Sequence, residues 1–168
     1  MLGSLWAPWR MKYIKSALEC SGKGKRGCFL CQLLRSKDDT RNLILYRSDA
    51  GFVVMNRFPY NNGHLMVVPN RHVADYEKLK QEESACLQQL VQLSLRALRL
   101  EIKPQGFNVG MNLGRVAGAG AAGHLHIHIV PRWNGDVNYM PVLAETKVIN
   151  EHLEETYRRL RRRFIGRR

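Results

Sequence analysis

Three of the six histidines in this 168-residue chain stand at alternate positions in one short stretch, GHLHIHIVPRW (residues 123–133). Successive side chains of a β-strand point to opposite faces of the sheet, so a strand here would bring all three to one face: His124, His126 and His128. The leucine and isoleucine between them would point the other way and seal a core. Core packing is a poor explanation for three imidazoles on one face, and the pattern therefore predicts a functional surface on a half-buried strand.

The rest of the chain combines β-rich runs with helical periodicity. Five runs predict strands: 42–48, 52–58, 64–70, 106–112 and 124–130. The first two runs would form a hairpin. Pro69 is expected to end the third strand, and Pro131 the fifth. Apolar residues recur at spacings of three and four from about Asp75 to Glu101, which predicts an amphipathic helix. A further helix is expected after about Lys147. The predicted fold class is α+β: an antiparallel sheet with a long helix and a C-terminal helix.

The length and charge of the chain limit the number of domains and the class of partner. We expect a single domain over 1–168, with an N-terminal arm and basic loop at 1–27 and a C-terminal helix and arginine-rich tail at 147–168. The net charge of +13 favours anionic partners such as nucleotides, polyphosphates, nucleic acid or an acidic membrane surface. No apolar run approaches the roughly 20 residues that span a bilayer, and the N-terminus lacks a signal-peptide pattern. We therefore expect a cytoplasmic protein with no membrane partner.

The arginine-rich C-terminus, RRLRRRFIGRR, has two interpretations. It is either an arm that binds nucleic acid or the solvated face of a helix with a frayed end. The sequence lacks the aromatic-interleaved motifs of RNA-binding domains, and the positive charge would equally attract a polyphosphate. A nucleic-acid partner therefore stays open but is not favoured.

The histidine face suits two kinds of chemistry. Three aligned imidazoles could bind a catalytic zinc ion with an open coordination position. Alternatively, one imidazole could attack phosphorus and later leave, which divides one difficult displacement into two easier ones. The preceding loop, AGAGAAG, carries almost no side chain, so its backbone N–H groups, including those of Gly118 and Gly120, could cradle a phosphate. This loop and the basic charge favour phosphorus chemistry.

The cysteines suggest a metal or redox site. Cys28 and Cys31 have the C-x2-C spacing of a zinc knuckle, and no second such pair follows, so histidines must complete the site. The candidates are His64, His72, His152 and one member of the triplet. A thioredoxin-like redox pair would need a parallel α/β setting, which the sequence does not predict. Cys86 lies in the predicted long helix, where we expect it to be buried.

Together, these motifs resemble the histidine triad (HIT) superfamily of nucleotide hydrolases and transferases. HLHIHIV (124–130) matches its His-φ-His-φ-His-φ-φ motif, where φ is apolar, and NRFPYNNGHLMVVPNRHV (56–73) is similar to its strand-turn-strand segment. Three segments are similar to the bacterial diadenosine tetraphosphate phosphorylase (ATP adenylyltransferase) branch of the superfamily: LWAPWRMKYI (5–14), GFNVGMN (106–112) and HLHIHIVPRWNGDVNYMPVL (124–143). The resemblance implies an enzyme that cleaves dinucleoside polyphosphates such as diadenosine tetraphosphate at an α-phosphorus, by phosphorolysis or hydrolysis.

The resemblance assigns catalytic roles to three histidines. His126 would be the nucleophile that forms a covalent nucleotidyl-imidazole, with the proton on its other ring nitrogen held by a backbone carbonyl near His124. His128 would hydrogen-bond the phosphoryl or bridging oxygens, and His64 would support the triad. Water or inorganic phosphate would then displace the histidine.

The resemblance also implies a nucleotide site. Asn56 matches a position that binds ribose hydroxyls, within an apolar wall that includes Phe52, and Asn112 matches a polar residue close to the phosphates. Trp133 offers a face that could stack on a base or simply pack in the protein. The glycine–alanine loop lacks the Gln, Ser or Thr that many members place there, so the choice between inorganic phosphate and water as acceptor stays open.

Zinc-containing members of the superfamily combine a C-x2-C pair with two histidines. The matching residues here are Cys28, Cys31, His72 and His124, which would form a closed structural site with no position for catalysis. Members commonly form homodimers, so a homodimer is expected. Two other functions remain as alternatives: hydrolysis of adenylated small molecules such as nucleoside phosphoramidates, and non-catalytic binding of nucleotides or RNA.

Overall fold

The computed structural model describes residues 27–136 and 151–165. Within them, five strands form one antiparallel sheet in the order β1-β2-β3-β5-β4. The strands are β1 (Ile44–Arg47), β2 (Gly51–Met55), β3 (Leu65–Pro69), β4 (Gly106–Gly110) and β5 (Ile127–Arg132). The helices are α1 (Phe29–Arg35), α2 (Gln81–Ile102) and α3 (Leu153–Ile165), with a 3-10 turn at Tyr76–Lys78. The predicted α+β class is confirmed, whereas the N-terminal arm, the start of the predicted C-terminal helix and the chain end lie outside the described residues.

The sheet is buried on both faces at its central strands β2 and β3. On one face, strand residues pack against α2 and α3 in a core that includes Val53, Leu65 and Ile129. On the other face, the alternate residues pack against α1 in a smaller core that includes Leu30 and Phe52. Because β2 and β3 are covered on both sides, their sequences, GFVVM and LMVVP, are continuously apolar rather than alternating. None of the described helices combines the length and apolarity of a membrane span.

The histidine-bearing strand is shorter at its start and longer at its end than predicted. β5 begins at Ile127, because the N–H groups of His124 and Leu125 donate outside the sheet, to carbonyls at 121 and 73. It also continues through Pro131, which the sequence analysis expected to end it. Pro131 pairs with β4 opposite Phe107, but its carbonyl accepts from Asn61 on the other side. The missing N–H therefore costs the β4–β5 ladder no hydrogen bond.

Three other predicted boundaries shift. β2 ends at Met55 rather than 58, so Asn56 follows the strand, and β4 ends at Gly110 rather than 112. The predicted helix from Asp75 divides into the 3-10 turn and α2. α2 begins after Lys80 because the Glu83 carboxylate accepts the Lys80 N–H at 2.9 Å, which is half of a capping box. β3 does end at its proline, as predicted.

The two edges of the sheet differ. At the β1 edge, α3 covers the strand: the Tyr157 hydroxyl donates to the Ile44 carbonyl at 3.1 Å, and the Arg161 guanidinium donates to the carbonyls of Ile44 and Leu45. At the β4 edge, Val109 is 47% exposed, and no described strand pairs with the outer side of β4. An open edge of this kind can pair with another chain.

The arginine-rich run docks α3 onto the sheet. Three of its arginines pair with carboxylates of other segments: Arg159 with Glu101 and Glu151, Arg163 with Glu101, and Arg161 with Asp39. The opposite, apolar side of the helix is buried through Tyr157, Leu160 and Phe164. The solvated-face interpretation therefore needs correction for Arg159 and Arg161, whose side chains are largely occupied by contacts within the chain, whereas Arg163 remains 48% exposed.

Candidate active site and metal centre

His126 has a defined tautomer. Its Nδ1 lies 2.9 Å from the backbone oxygen of His124. A carbonyl can only accept, so Nδ1 carries the proton and Nε2 keeps its lone pair. The side chain is only 4% exposed, and burial lowers the pKa of His126, which favours the neutral ring. The backbone thus leaves a nucleophilic nitrogen on a neutral imidazole.

His64 and His128 form a hydrogen-bonded pair with a fixed direction. The backbone N–H of Tyr60 donates to His64 Nδ1 at 3.0 Å, so His64 carries its proton on Nε2. That Nε2 donates to His128 Nδ1 at 2.9 Å, which leaves the proton of His128 on its own Nε2. The ring of His128 lies edge-on to that of His126, with centroids 4.8 Å apart. The His128 ring, with a donor on Nε2, therefore lies beside the His126 ring, which has a lone pair on Nε2.

His124 belongs to a second cluster, with the opposite tautomer. Its Nε2 donates to the Pro69 carbonyl at 2.9 Å, so its Nδ1 has the lone pair. That Nδ1 lies 3.3 Å from Cys28 Sγ, 3.5 Å from Cys31 Sγ and 3.3 Å from His72 Nδ1. Burial lowers the pKa of His124 to about 4, which keeps the ring neutral and able to coordinate.

The four side chains could hold a metal ion. Their ligand atoms all lie within 4.8 Å of one another. Cys28 caps α1 and Cys31 lies in its first turn, so the C-x2-C spacing brings both thiols to the same end of the helix. No disulfide joins the cysteines that the structure describes. Of the other histidine candidates, His64 lies in the hydrogen-bonded pair with His128, and His152 is exposed at the start of α3.

Comparison with known proteins identifies the family. The HIT domain model matches residues 37–135, which is more than half of the chain. The chain belongs to the HIT family. It is 39% identical over 162 residues to the AP-4-A phosphorylase of Mycobacterium tuberculosis, covering 95% of this chain and 83% of that protein.

Solved structures share the HIT fold. A Zn-bound histidine triad family protein from Mycobacterium smegmatis has a TM-score of 0.67 and 26% identity, covering 85% of this chain and 96% of that one. The Plasmodium falciparum diadenosine triphosphate hydrolase, solved with cyclomarin A, has a TM-score of 0.63 over 92% of this chain and 98% of that one. At 18% identity, the second likeness shows the fold alone.

In this HIT domain, the residue predicted to bind ribose, Asn56, and one residue of the predicted apolar wall, Phe52, are engaged within the protein. Asn56 is buried, its side-chain oxygen accepts the Phe58 N–H at 2.9 Å, and its Nδ2 lies 3.3 Å from His64 Nδ1. Phe52 is fully buried in the core beneath α1. Asn56 therefore borders the histidine pair, whereas Phe52 contributes packing and presents no surface to a ligand.

The glycine–alanine loop and Trp133, both predicted to contact the nucleotide, lie in separate parts of the structure. Asn112 Nδ2 donates to the Gly118 carbonyl at 3.4 Å, so these two predicted site residues meet. Gly118 has a φ of +86°, which glycine readily adopts. Its N–H donates to the Arg115 carbonyl within the loop, so the prediction that this N–H could cradle a phosphate is wrong. Gly120, two residues on, is half-buried. Trp133 lines a cavity of about 650 Å³ with polar residues of the β5 end and α3, and no histidine lines that cavity.

Sequence reasoning missed the groups that set the tautomers. The Pro69 carbonyl and the Tyr60 N–H are backbone groups, which have no side-chain signature. A backbone carbonyl near His124 was expected from the family resemblance, and it is the carbonyl of His124 itself. Cys86, expected to be buried, is half-buried and lies 3.2 Å from the Ser48 hydroxyl.

Proposed function

We propose that this HIT protein cleaves dinucleoside polyphosphates such as diadenosine tetraphosphate at an α-phosphorus, with His126 as the nucleophile. The observation that carries the proposal is the hydrogen bond from His126 Nδ1–H to the His124 carbonyl, because it leaves Nε2 with a lone pair. The 39% identity to the Mycobacterium tuberculosis AP-4-A phosphorylase supports this choice of substrate. The net charge of +13 favours a polyanionic substrate.

In the first step, the Nε2 lone pair of His126 attacks the α-phosphorus. An N–P bond forms, the bond from phosphorus to the bridging oxygen breaks, and that oxygen leaves with the electron pair as ATP. No proton needs to move, because the ring of the adduct keeps its Nδ1–H. The adduct ring is cationic, and the His124 carbonyl, 2.9 Å away, stabilises this charge. The Nε2–H of His128 donates to the phosphoryl or bridging oxygens as negative charge develops.

In the second step, an acceptor oxygen attacks phosphorus on the adduct and the N–P bond breaks, which restores His126. Inorganic phosphate as the acceptor gives ADP, and water gives AMP. We favour phosphate because the similar mycobacterial protein is a phosphorylase. The glycine–alanine loop is the segment proposed to lie against the phosphates, through Gly120 and the neighbouring Asn112, since the Gly118 N–H is already engaged within the loop.

The residues of the metal cluster fit zinc. Zinc–sulfur bonds of about 2.3 Å and zinc–nitrogen bonds of about 2.0–2.1 Å in a tetrahedron separate ligand atoms by roughly 3.4–3.8 Å. Four of the six separations between the ligand atoms are 3.3–3.5 Å, and all six lie within 4.8 Å, so a modest contraction would complete the tetrahedron. The Zn-bound relative of the same fold supports this metal. Four protein ligands leave no open position, so the zinc would fasten α1 to the start of β5 and take no part in catalysis.

We also propose that the protein is a homodimer that works in a reducing compartment such as the cytoplasm. The open β4 edge and an adjoining shallow cavity along α2, which Leu87, Val91 and Val109 help to line, support a partner on that side. The thiols of Cys28 and Cys31, which no disulfide joins, would need reducing conditions to serve as ligands.

The proposed reaction is tested by incubating the protein with diadenosine tetraphosphate, with and without inorganic phosphate, and separating the nucleotides. ADP and ATP formed only with phosphate are the expected products. AMP and ATP formed without phosphate would contradict phosphorolysis and support hydrolysis by the same histidine. Absence of turnover, together with cleavage of an adenosine phosphoramidate, would overturn the proposed substrate class.

A further inference from the structure

The turn that precedes His64 is tied to the end of β5 by one side chain. Asn61 Nδ2 donates to the Pro131 carbonyl at 3.0 Å and to Asp136 Oδ2 at 2.8 Å. The backbone oxygen of Asn61 accepts the His64 N–H at 3.2 Å, and its side-chain oxygen accepts the Asn62 N–H at 3.1 Å. Asn61 thus joins the turn before one catalytic histidine to the strand that carries another.

Asp136 is held firmly as the acceptor of this contact. Arg132 donates to both of its oxygens, at 2.7 and 2.8 Å, and the Trp133 N–H donates at 3.0 Å. Its side chain is only 9% exposed. The hydrogen bonds from Arg132 hold the pKa of Asp136 well below its usual range, so the carboxylate stays ionised. Four donors on two oxygens leave this side chain little freedom to move.

The turn that Asn61 holds contains the donor that fixes the catalytic pair. Tyr60, the residue before Asn61, donates its N–H to His64 Nδ1 at 3.0 Å. This contact decides that the His64 proton lies on Nε2, from which it reaches His128. A turn that moved away from β5 would move the Tyr60 N–H away from His64. Only the longer contact from Asn56 Nδ2, 3.3 Å from Nδ1, would then favour this tautomer, so the ring could take up the other form as well.

We propose that Asn61 and Asp136 are positioning residues: they hold the turn so that the Tyr60 N–H fixes the tautomers of His64 and His128. The consequence for catalysis rests on the proposed function, in which His128 must donate from Nε2. The tautomers themselves do not depend on any substrate. The inference therefore has one readout that is independent of the reaction.

The neighbouring asparagine provides a matched control. Asn62 lies in the same turn, but its amide nitrogen donates to Glu151 at 3.3 Å and its oxygen accepts from Thr156 at 3.1 Å, both beside α3. Removing it breaks a comparable number of contacts without releasing the turn from β5. Asn61→Ala and Asn62→Ala thus separate loss of positioning from general loosening of the turn.

The test records the ring-nitrogen chemical shifts of the histidines in the full-length protein without substrate, and then kcat and KM with diadenosine tetraphosphate. We expect Asn61→Ala to convert His64 from one Nε2–H tautomer to a mixture and to lower kcat about ten- to a hundred-fold with little change in KM. Asn62→Ala is expected to keep the wild-type tautomer and kcat. Unchanged His64 shifts in Asn61→Ala, or equal changes in both variants, would overturn the inference.

Asp136→Asn keeps the test decisive if Asn61→Ala fails to fold. Asparagine retains a side-chain oxygen for the Asn61 amide but loses the charge, so we expect partial rescue: a smaller tautomer change and a smaller kcat loss than in Asp136→Ala. Equal effects of the two substitutions would contradict the positioning role. A wild-type protein that shows no turnover would refute the proposed function, whereas the chemical shifts would still test the positioning.

Discussion

His124 and His126 stand two residues apart, and the structure gives them opposite chemistry. Both rings are buried, and each donates one hydrogen bond to a backbone carbonyl. His124 donates from Nε2 to Pro69, which turns a lone pair on Nδ1 toward two thiols and His72. His126 donates from Nδ1 to His124, which leaves the lone pair on Nε2. The carbonyl that accepts from each ring, rather than the residue type, distinguishes the proposed metal ligand from the proposed nucleophile.

The largest effect should come from removing the nucleophile. We expect His126→Ala to lower the turnover of diadenosine tetraphosphate by roughly four orders of magnitude or more while the substrate still binds, as is typical for a lost covalent nucleophile. Nucleotide separation measures turnover, and equilibrium titration measures binding. His152→Ala, which removes an exposed histidine outside both clusters, is the control. Turnover in His126→Ala within ten-fold of wild type would contradict the proposal that His126, and not His124, is the nucleophile.

Removing the metal should have a smaller effect on turnover. We expect Cys31→Ser to lower the bound zinc and to reduce turnover about ten- to a hundred-fold, because the metal fixes His124, whose carbonyl orients His126. Metal analysis and nucleotide separation provide the two measurements. Cys86→Ser, at a cysteine outside the cluster, should change neither. A loss as large as that of His126→Ala would instead indicate a catalytic metal.

The turn on the catalytic side is sensitive to an added methyl group. Gly63 has a φ of +71°, and a Cβ there would lie 2.6 Å from Ile102 Cδ1. We expect Gly63→Ala to lower the free energy of unfolding by about 1–2 kcal/mol, because L-residues are strained in this conformation. Urea unfolding measures the change. Gly106→Ala, where a Cβ would meet nothing within 4 Å, is the control, and equal effects of the two would contradict the strain.

The smallest effect concerns the ion pair beside His72, a proposed metal ligand. Arg71 donates to the Glu83 carboxylate at 2.8 and 2.6 Å, and this hydrogen bonding lowers the pKa of Glu83 to about 2. A carboxyl with a lowered pKa stabilises the fold above its unfolded pKa and loses that contribution as the pH falls through its folded pKa. The stability difference between wild type and Glu83→Gln should therefore be complete at about pH 6 and smaller at about pH 3. Urea unfolding of both proteins at the two pH values measures this difference. A difference that does not change with pH would contradict the lowered pKa of Glu83.

The spacing of side chains predicted which residues cluster, but not how their rings are oriented. The C-x2-C pair and the alternate histidines indicated the family resemblance. The four metal ligands that this resemblance implies lie together in the structure. The sequence analysis expected one strand face for all three histidines. Instead, His124 and Leu125 donate their N–H groups outside the sheet, and β5 begins only at Ile127.

The parts that could not be predicted depend on contacts between distant backbone segments. Pro69 meets His124 across 55 residues, and Asn61 meets Asp136 across 75. Pro131 continues β5 because the pairing of β5 with β3 stops at Ile129, opposite the first residue of β3, so no β3 residue faces the side where the proline lacks an N–H. Local sequence patterns do not encode such pairings, whereas they do encode the apolar runs of β2 and β3 and the amphipathic helix α2.

The most direct measurement is to trap the covalent intermediate. The protein is mixed with diadenosine tetraphosphate in the absence of inorganic phosphate, quenched within the first turnover, digested and mapped by mass spectrometry. We predict a nucleotidyl group on the ring nitrogen of His126, absent from His126→Ala. An adduct on another residue, or product formation with no adduct at any time point, would contradict His126 as the nucleophile.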